Sequence, residues 1–526
     1  MNDSVCLSEC RVDPKGRLLY FPGYGHSKTT LYNNPIINFS NNDFWYDDQS
    51  DACIEARVKI STDDGRTIEH DCKPGWVFSG PPDYAPEIEP ITTLYDVLVD
   101  RAITFTNENT NDDDCKKREE WKKYLQLNSN RIGCNEKCNF YEDILPIFQR
   151  VLDMKWVSQV VNLDNLLPFD NLTPEIINEL GNPKNNYDRK SIFDLFRPPY
   201  EMTGERESNN ELIPRMLGDA VDYGTNNSQS FFAISPRQYE MLRQWSENQF
   251  DKGECTIKKK LSDYDIEQQP FELAKANLYP VSGGAFHPGV ELTWPLRHVE
   301  MFCLPFRVNH ADSNDLVPTV ENQNWGQYLY PHVAKSIVRT PVRAGDLTRW
   351  MGLPWQSDGA SCQSVYFSDI FPNPVWWPAI LPVDVIPEIL FSMVDGEKQV
   401  SIDRGQKLLD QRVSWVRGVG DVGYHAEGGY TNSIRYIVEQ WNLMGFVKKQ
   451  EVPDYLKDSV GESVYVEMER AIIPAHQIES MQNALALRKS KSKKAGLRRG
   501  PSFNSTQRQI ISYRSLKRQK LKKSKN

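Results

Sequence analysis

Residues 349–362 read RWMGLPWQSDGASC and combine helix-breaking glycine and proline with tryptophan, a carboxylate and a thiol. Asp358 and Cys362 are four residues apart, so a helix would place them on one face, whereas a bent loop would not fix their relation. A carboxylate raises the pKa of a thiol, and no histidine is close in sequence, so the pair does not indicate a protease-type nucleophile. Taken alone, Cys362 fits a buried cysteine that packs as a small apolar side chain.

The composition around this stretch is that of a globular protein. The 526 residues are 39% hydrophobic and 25% charged, which excludes a wholly disordered, collagen-like or coiled-coil chain. The 33 prolines and 30 glycines interrupt long helices and argue against a helical bundle. We therefore predict an α+β fold, a β-rich and largely antiparallel mixed body with short helices and long loops. Its predicted parts are a β-rich region with polar excursions at 1–268, a region with the reactive residues at 269–487 and a basic, disordered tail at 488–526.

Charge is distributed unevenly between the body and the tail. Residues 488–526 contain 15 Lys and Arg and no Asp or Glu, so the rest of the chain holds 47 of the 62 basic and all 71 acidic side chains. With a net charge of −24, the body is not expected to bind nucleic acid. The tail is predicted to be a solvated end, and contact with nucleic acid or another anionic surface is the alternative.

The sequence predicts no membrane span and no metal site. No stretch is apolar for the roughly 18 residues that a spanning helix needs, and residues 1–11 lack the regions of a secretory signal. A cytoplasmic location or non-classical export is expected. Cys134 and Cys138 have the spacing of half a zinc site, but no second pair follows, so a structural role is expected for them.

Residues 1–100 are predicted to form strands and turns. The alternation at 56–60, ended by Asp-Asp-Gly at 63–65, predicts a half-buried hairpin arm. Residues 76–86 contain adjacent prolines and are predicted to be a rigid, extended loop.

Two short helices are predicted beyond a polar excursion at 105–140. Residues 141–157 repeat apolar side chains at a helical period, and residues 236–245 begin with proline after Ser235, a suitable N-cap.

A glycine run at 418–423, GVGDVG, matches the dinucleotide-binding pattern, but that pattern requires a strand before it and a helix after it. Residues 408–415 look like a helix end instead, so we interpret the run as a flexible loop. Phosphate-binding Walker, HExxH zinc and GxSxG nucleophile motifs are absent from the sequence.

Several blocks together resemble the cysteine tryptophylquinone (CTQ)-dependent amino-acid oxidases, of the lysine 6-oxidase and glycine oxidase types. The resemblance covers roughly residues 10–450, thinly in the first half, and the blocks follow the family's order. They are residues 76–86 with TLYD at 93–96, GGAFHPGVE at 283–291, WQSDGASC at 355–362, and WWPA at 376–379 with LPVDV at 381–385.

The resemblance implies a cofactor made from the protein, in which a cysteine sulfur is bonded to a tryptophan indole oxidised to a quinone. Cys362 would supply the sulfur and Asp358 the carboxylate needed for cofactor formation. Trp415 is the preferred indole because the family has an Arg-flanked tryptophan in this region. Trp441 is the alternative, although its amphipathic surroundings favour core packing. His287, in the central block, is a candidate active-site residue.

The implied activity is oxidative deamination of an L-amino acid or glycine, an oxidoreductase reaction on CH–NH2 with oxygen as acceptor. It yields an oxo product, ammonia and hydrogen peroxide, and the quinone provides an electrophile for the substrate amine without a bound coenzyme. The resemblance also implies a flavin-dependent maturation protein and a homo-oligomer. The alternative from the residues alone is a non-catalytic, β-rich binding or structural protein in which Cys362 is merely buried.

Overall fold

The computed structural model describes residues 5–32, 34–37, 42–107, 115–128, 137–159, 167–185, 187–204, 209, 211–216, 231–254, 259–283, 296–311, 342–348, 351–357, 378–396, 400–415 and 438–471. Asp358, Cys362 and His287 lie outside these residues, as do the glycine run at 418–423 and the basic tail.

Antiparallel strand pairs dominate the described residues before position 80. The strands are β1 (Ser8–Val12), β2 (Leu18–Pro22), β3 (Ser27–Thr29), β4 (Trp45–Asp47), β5 (Ser50–Ile54), β6 (Arg57–Ser61), β7 (Thr67–Asp71) and β8 (Gly75–Ser79). The pairs are β1–β2, β3–β4, β5–β8 and β6–β7. The predicted strands and turns are confirmed, whereas the loop predicted at 76–86 is wrong at its start because β8 occupies it.

The β6–β7 hairpin turns at Gly65, whose φ of +80° suits glycine. Every residue of both strands is exposed, so the predicted half-burial is wrong. The apolar alternation pairs Ile60 with Ile68 across the strands instead of packing them into a core.

Helices fill the middle of the chain. They are α1 (Leu94–Asn107), α2 (Cys115–Asn128), α3 (Leu145–Asp153), α4 (Pro174–Leu180), α5 (Arg189–Phe193), α6 (Tyr200–Thr203), α7 (Pro236–Ser246) and α8 (Gln269–Leu278). A π-helical segment (Phe140–Ile144) precedes α3 and a 3-10 turn (Met154–Trp156) follows it. Both predicted helices are confirmed, and Ser235 forms a capping box with Gln238 at the start of α7.

The polar excursion expected at 105–140 is partly wrong. The charged sequence of α2 hides a buried stripe, because Trp121, Tyr124 and Leu125 pack against α1 and its neighbours. Cys138 is buried and its Sγ lies 3.5 Å from the Met241 carbonyl oxygen, in keeping with the structural role expected of it.

A four-stranded sheet organises the described residues after position 378. Its strands, in spatial order, are β14 (Val413–Ser414), β13 (Asp384–Pro387), β16 (Ser463–Met468) and β15 (Phe446–Glu451); only β13–β16 is parallel. Helices α9 (Glu388–Asp395), α10 (Ile402–Leu409) and α11 (Asp454–Val460) contribute to one buried cluster beside this sheet. Two smaller strand pairs precede this sheet in the chain. They are the parallel pair β9 (Cys138–Asn139) and β10 (Phe250–Asp251), and the antiparallel pair β11 (Phe302–Leu304) and β12 (Arg307–Val308).

The α+β prediction is confirmed. The largest buried cluster joins residues of α3 and α7 to Tyr84, Val385 and Trp415. The division at residue 268 stays a prediction. In the described parts of the chain, helices with both the length and the apolar character to cross a bilayer do not occur.

Candidate active site

Strand β14 presents Trp415 from a buried and firmly anchored backbone. The Trp415 N–H donates to the carbonyl oxygen of Val383 at 2.9 Å. Arg412, just before β14, forms an ion pair with Asp384 of β13, with Nε 2.8 Å from Oδ1, and its Nη2 also donates to the Trp156 carbonyl. Val383 and Asp384 belong to the LPVDV block, so this block fixes the position of Trp415.

Trp415 has no exposed surface and is packed between an aromatic ring and a carboxylate. The Tyr84 ring lies 4.7 Å from the Trp415 ring, centroid to centroid. On another side is Glu467 of β16, which is only 2% exposed and is ion-paired with Arg470 at 2.6 Å.

Burial raises the pKa of the Glu467 carboxyl, opposed first by the Arg470 charge and hydrogen bond and more weakly by hydrogen bonding from the Gly445 N–H and the Trp415 indole. A carboxylate that accepts a hydrogen bond from an indole N–H can polarise the ring. Glu467 was not among the candidates from sequence, because a glutamate next to Val466 in an alternating stretch is typical of a solvent-facing position. In the structure Glu467 and Val466 are both buried although they point to opposite faces of β16.

Trp441, the alternative indole, lies on a short 3-10 turn (Trp441–Leu443). Its ring is edge-on to Trp355, with 5.4 Å between centroids. Residues 355–357 are helical and begin the WQSDGASC block. The structure therefore brings one candidate indole into contact with the start of the segment that contains Asp358 and Cys362.

Gly25, in the N-terminal region, lies against both rings of the Trp355–Trp441 contact. Its carbonyl oxygen accepts hydrogen bonds from Trp355 Nε1 at 3.3 Å and Gln356 Nε2 at 3.0 Å. A Cβ at this position would lie 2.3 Å from Trp441 Cζ2, and φ is +75°, so only glycine fits. Ser27 holds Gln356 from its other end, through a 2.7 Å hydrogen bond to Oε1.

Asp47 supports the same turn, because its Oδ2 accepts the Trp355 N–H at 3.3 Å. Burial raises the pKa of the Asp47 carboxyl to about 6, against hydrogen bonds from the backbone of Gln49 and Trp355. A carboxyl with such a pKa can exchange a proton near neutral pH. Asp47 was also missed from sequence, where an aspartate at the end of an N-terminal strand carries no signal of this contact.

Tyr84 connects the two candidate tryptophans. Besides its contact with the Trp415 ring, its hydroxyl donates to the Trp441 carbonyl oxygen at 3.0 Å. Its backbone N–H donates to Ile380 O at 2.9 Å and its ring stacks on Phe446 at 5.3 Å. We call Tyr84, Trp355, Trp415, Trp441 and Phe446 the aromatic cluster.

The central block is anchored to the TLYD block by backbone pairing. Thr93 and Ser282 form an antiparallel bridge, and the Gly283 N–H donates to Thr92 O at 2.9 Å. A Cβ on Gly283 would come within 2.2 Å of the Thr93 carbonyl oxygen. His287 follows this anchored glycine but lies outside the described residues.

Comparison with known families gives two matches on this chain. Residues 1–79 match the family described as L-lysine epsilon oxidase N-terminal, and residues 215–377 match the L-lysine epsilon oxidase C-terminal domain. The second match includes His287, Asp358 and Cys362, whereas both candidate tryptophans lie beyond it.

A comparison with whole protein sequences agrees with these matches. The L-lysine 6-oxidase of Marinomonas mediterranea is 23% identical over 513 residues, which cover 84% of this chain and 62% of that protein. The chain thus spans less than two thirds of the length of that relative.

Two solved structures of the ε-lysine oxidase from Marinomonas mediterranea share the fold. They superpose with TM-scores of 0.54 and 0.52 at 20% identity, over 88% of this chain and 68% of the solved one. The second contains the Schiff base intermediate with L-Lys.

Proposed function

Because the chain belongs to the L-lysine ε-oxidase family, as its resemblance predicted, we propose that it is an amino-acid oxidase with a protein-derived quinone. The proposed reaction converts the CH–NH2 group of an L-amino acid or glycine, with O2 and water, into an oxo product, ammonia and hydrogen peroxide. The substrate loses two electrons and O2 accepts them.

Cys362 and Trp415 are the proposed partners of the thioether bond. Cys362 is five residues beyond Ser357, and a chain of that length reaches at most about 18 Å. Ser357 itself is buried at the end of the turn that contacts Trp441. The thiol can therefore reach the aromatic cluster, and the donor set of one thiol and a buried indole fits a CTQ cofactor.

Trp441 remains the alternative indole, and one contact favours it. Its ring touches Trp355 directly, whereas Trp415 contacts Tyr84, which in turn hydrogen-bonds to the backbone of Trp441. Trp415 has the opposite advantage, because the LPVDV block and the Arg412 ion pair fix it in place.

When formed, the CTQ group supplies an electrophilic carbonyl and a two-electron acceptor. The proposed role of Asp358 is to accept protons, first from the indole during cofactor formation and then from the substrate carbon. His287 is proposed to orient the substrate carboxylate or to assist oxygen reduction.

A flavin-dependent maturation protein and assembly into a homo-oligomer are part of the proposal. The single observation that carries it is the aromatic cluster, which joins the WQSDGASC block to both candidate indoles.

The test is a modified-peptide map of protein co-produced with a flavin-dependent maturation partner. A thioether between Cys362 and one of the two indoles is expected, with oxygen added to that indole, visible absorbance, and peroxide release with a panel of amino acids. Cys362→Ala should abolish the absorbance at a stability cost of about 1–3 kcal/mol. Cys303→Ala, at an exposed thiol, is the matched control and should retain it.

An unmodified Cys362 and ordinary tryptophans in such material would refute the oxidase proposal and support the non-catalytic alternative. Retained quinone absorbance in Cys362→Ala would refute the sulfur assignment alone. The linked peptide decides between Trp415 and Trp441.

A further inference from the structure

Three potential metal ligands that do not belong to the aromatic cluster lie close together. The Cys53 Sγ, a Glu55 carboxylate oxygen and a His310 ring nitrogen all lie within 4.8 Å of one another. Cys53 and His310 are half-buried and Glu55 is exposed, so the group is near the surface but backed by protein.

The first two ligands come from one strand. Cys53 is in β5 and Glu55 follows its end by one residue. Side chains two positions apart on extended backbone point to the same side. The strand pairing is regular here, with Cys53 opposite Trp76 of β8 and Ile54 opposite Gly75.

His310 reaches this face from a distant part of the sequence. Arg307, in β12, donates from Nη1 to the Pro74 carbonyl oxygen at 3.0 Å, just before β8. The Trp76 ring, which is opposite Cys53, lies 6.0 Å from the His310 ring. A parallel bridge between His310 and Val342 holds the backbone of the histidine.

The histidine is also oriented for binding. Its Nδ1 lies 3.3 Å from the Val308 carbonyl oxygen. The tautomer that donates from Nδ1 leaves the Nε2 lone pair for a metal, which is the usual arrangement at histidine ligands.

We propose that Cys53, Glu55 and His310 bind a divalent transition-metal ion of the zinc class. Thiolate, imidazole and carboxylate are the ligands that zinc takes at about 2.3, 2.0 and 2.1 Å. Tetrahedral bonds of those lengths separate ligand atoms by about 3.3–3.6 Å, so the side chains must draw together slightly on binding, and the exposed Glu55 can do so by changing rotamer. Three protein ligands leave a fourth position for water.

The bound ion links β5 to the segment after β12. It would stabilise the folded state by an amount that grows with the logarithm of its free concentration, because the three ligands are brought together only by folding. Binding displaces the thiol proton, so affinity is expected to fall as the pH is lowered.

The experiment is a zinc titration of the chelator-treated full chain, without the maturation partner, so that it is independent of the oxidase proposal. One zinc ion per chain is expected, together with a raised unfolding temperature. Cobalt should give thiolate-to-metal absorption in the near ultraviolet. Cys53→Ser, Glu55→Gln and His310→Gln are each expected to weaken zinc binding at least about tenfold.

Cys303→Ser and His70→Gln change an exposed thiol and an exposed imidazole outside the group and should leave affinity unchanged. Glu55 is exposed, so Glu55→Gln tests the site even if another variant misfolds. Zinc binding that is equal in Cys53→Ser and Cys303→Ser, or cobalt absorption that survives Cys53→Ser, would overturn the proposal, as would the absence of stoichiometric binding.

Discussion

Replacing Asp384 with alanine should loosen the strand that presents Trp415. The Asp384 carboxylate accepts Arg412 Nε at 2.8 Å and the Gln159 N–H at 2.8 Å. The Arg412 side chain is only 6% exposed, and burial lowers the pKa of its guanidinium, opposed by Asp384. Asp384→Ala therefore leaves a buried cation without its partner, which typically costs about 3–5 kcal/mol. The loss of the Gln159 acceptor overlaps with this cost and does not simply add to it.

The local consequence can be measured at one amide. The Trp415 N–H is bonded to Val383 O, next to the altered residue, so it exchanges with solvent only when β14 opens. If the whole cost falls on that opening, exchange should accelerate by roughly two to four orders of magnitude, since about 1.4 kcal/mol is tenfold. Hydrogen exchange followed by mass spectrometry of the peptide containing residues 412–415 measures this directly.

The matched control is Asp403→Ala on α10, which breaks an exposed ion pair with Lys407 at 2.8 Å. Exposed pairs of this kind contribute about 0.3–0.5 kcal/mol, so exchange at Trp415 should hardly change. Equal exchange in wild type and Asp384→Ala would refute the view that the ion pair holds β14. If Trp415 is the quinone partner, Asp384→Ala should also reduce the yield of the linked peptide.

Three further substitutions test the surroundings of the cluster. Gly25→Ala should lower the unfolding temperature, because the left-handed backbone costs about 1–2 kcal/mol and the new Cβ meets the Trp441 ring. Asp83→Asn should stabilise the protein above pH 7 by about 1–3 kcal/mol, since burial raises the pKa of this carboxyl to about 7 while the amide oxygen can still accept the Ala85 N–H. Glu467→Gln should reduce the free energy of unfolding by roughly 3 kcal/mol, as Arg470 loses its buried counter-charge. Thermal or denaturant unfolding measures all three.

Each of these three predictions has a control variant or a result that would contradict it. Gly16→Ala has the same backbone strain, with φ of +77° and nothing within 4 Å of the new Cβ, so an equal effect would contradict the clash with Trp441. The folded-state pKa of Asp83 lies above its unfolded value, so its favourable contribution is complete below about pH 4 and is lost as the pH rises through 7. A gain from Asp83→Asn that persists at pH 4 would therefore argue against burial of the charge. Glu462→Gln changes an exposed pair and should have little effect.

Short-range sequence patterns predicted two helices whose ends and buried faces depend on neighbouring residues. Helix α3, which ends at Asp153, follows from the period of its apolar residues. Helix α7 follows from the capping Ser235 and the proline in its first turn. Burial was less predictable, because alternation shows that two faces of a strand differ but not what covers them. The β6–β7 hairpin is exposed on both faces, and Glu467 is buried on a strand covered on both.

Contacts between distant segments carried no sequence signal of their own. Trp355 and Trp441 meet only because Gly25 supplies a carbonyl to one ring and space for the other. Cys53 and His310 meet through the strand pairing at Trp76 and the Arg307 hydrogen bond. These are properties of the assembled chain, so residue spacing in the sequence does not contain them.

The blocks that resemble the family are joined largely through backbone groups. Tyr84 of the first block donates its N–H to Ile380 O, Trp415 donates to Val383 O of the LPVDV block, and Gly283 donates to Thr92 O. A backbone hydrogen bond constrains position without specifying the side chains around it. The frame that holds Tyr84 and Trp415 can therefore persist while other side chains around it change. This explains why the sequence supports a family and a chemistry, whereas the choice of amino acid must be found by assay.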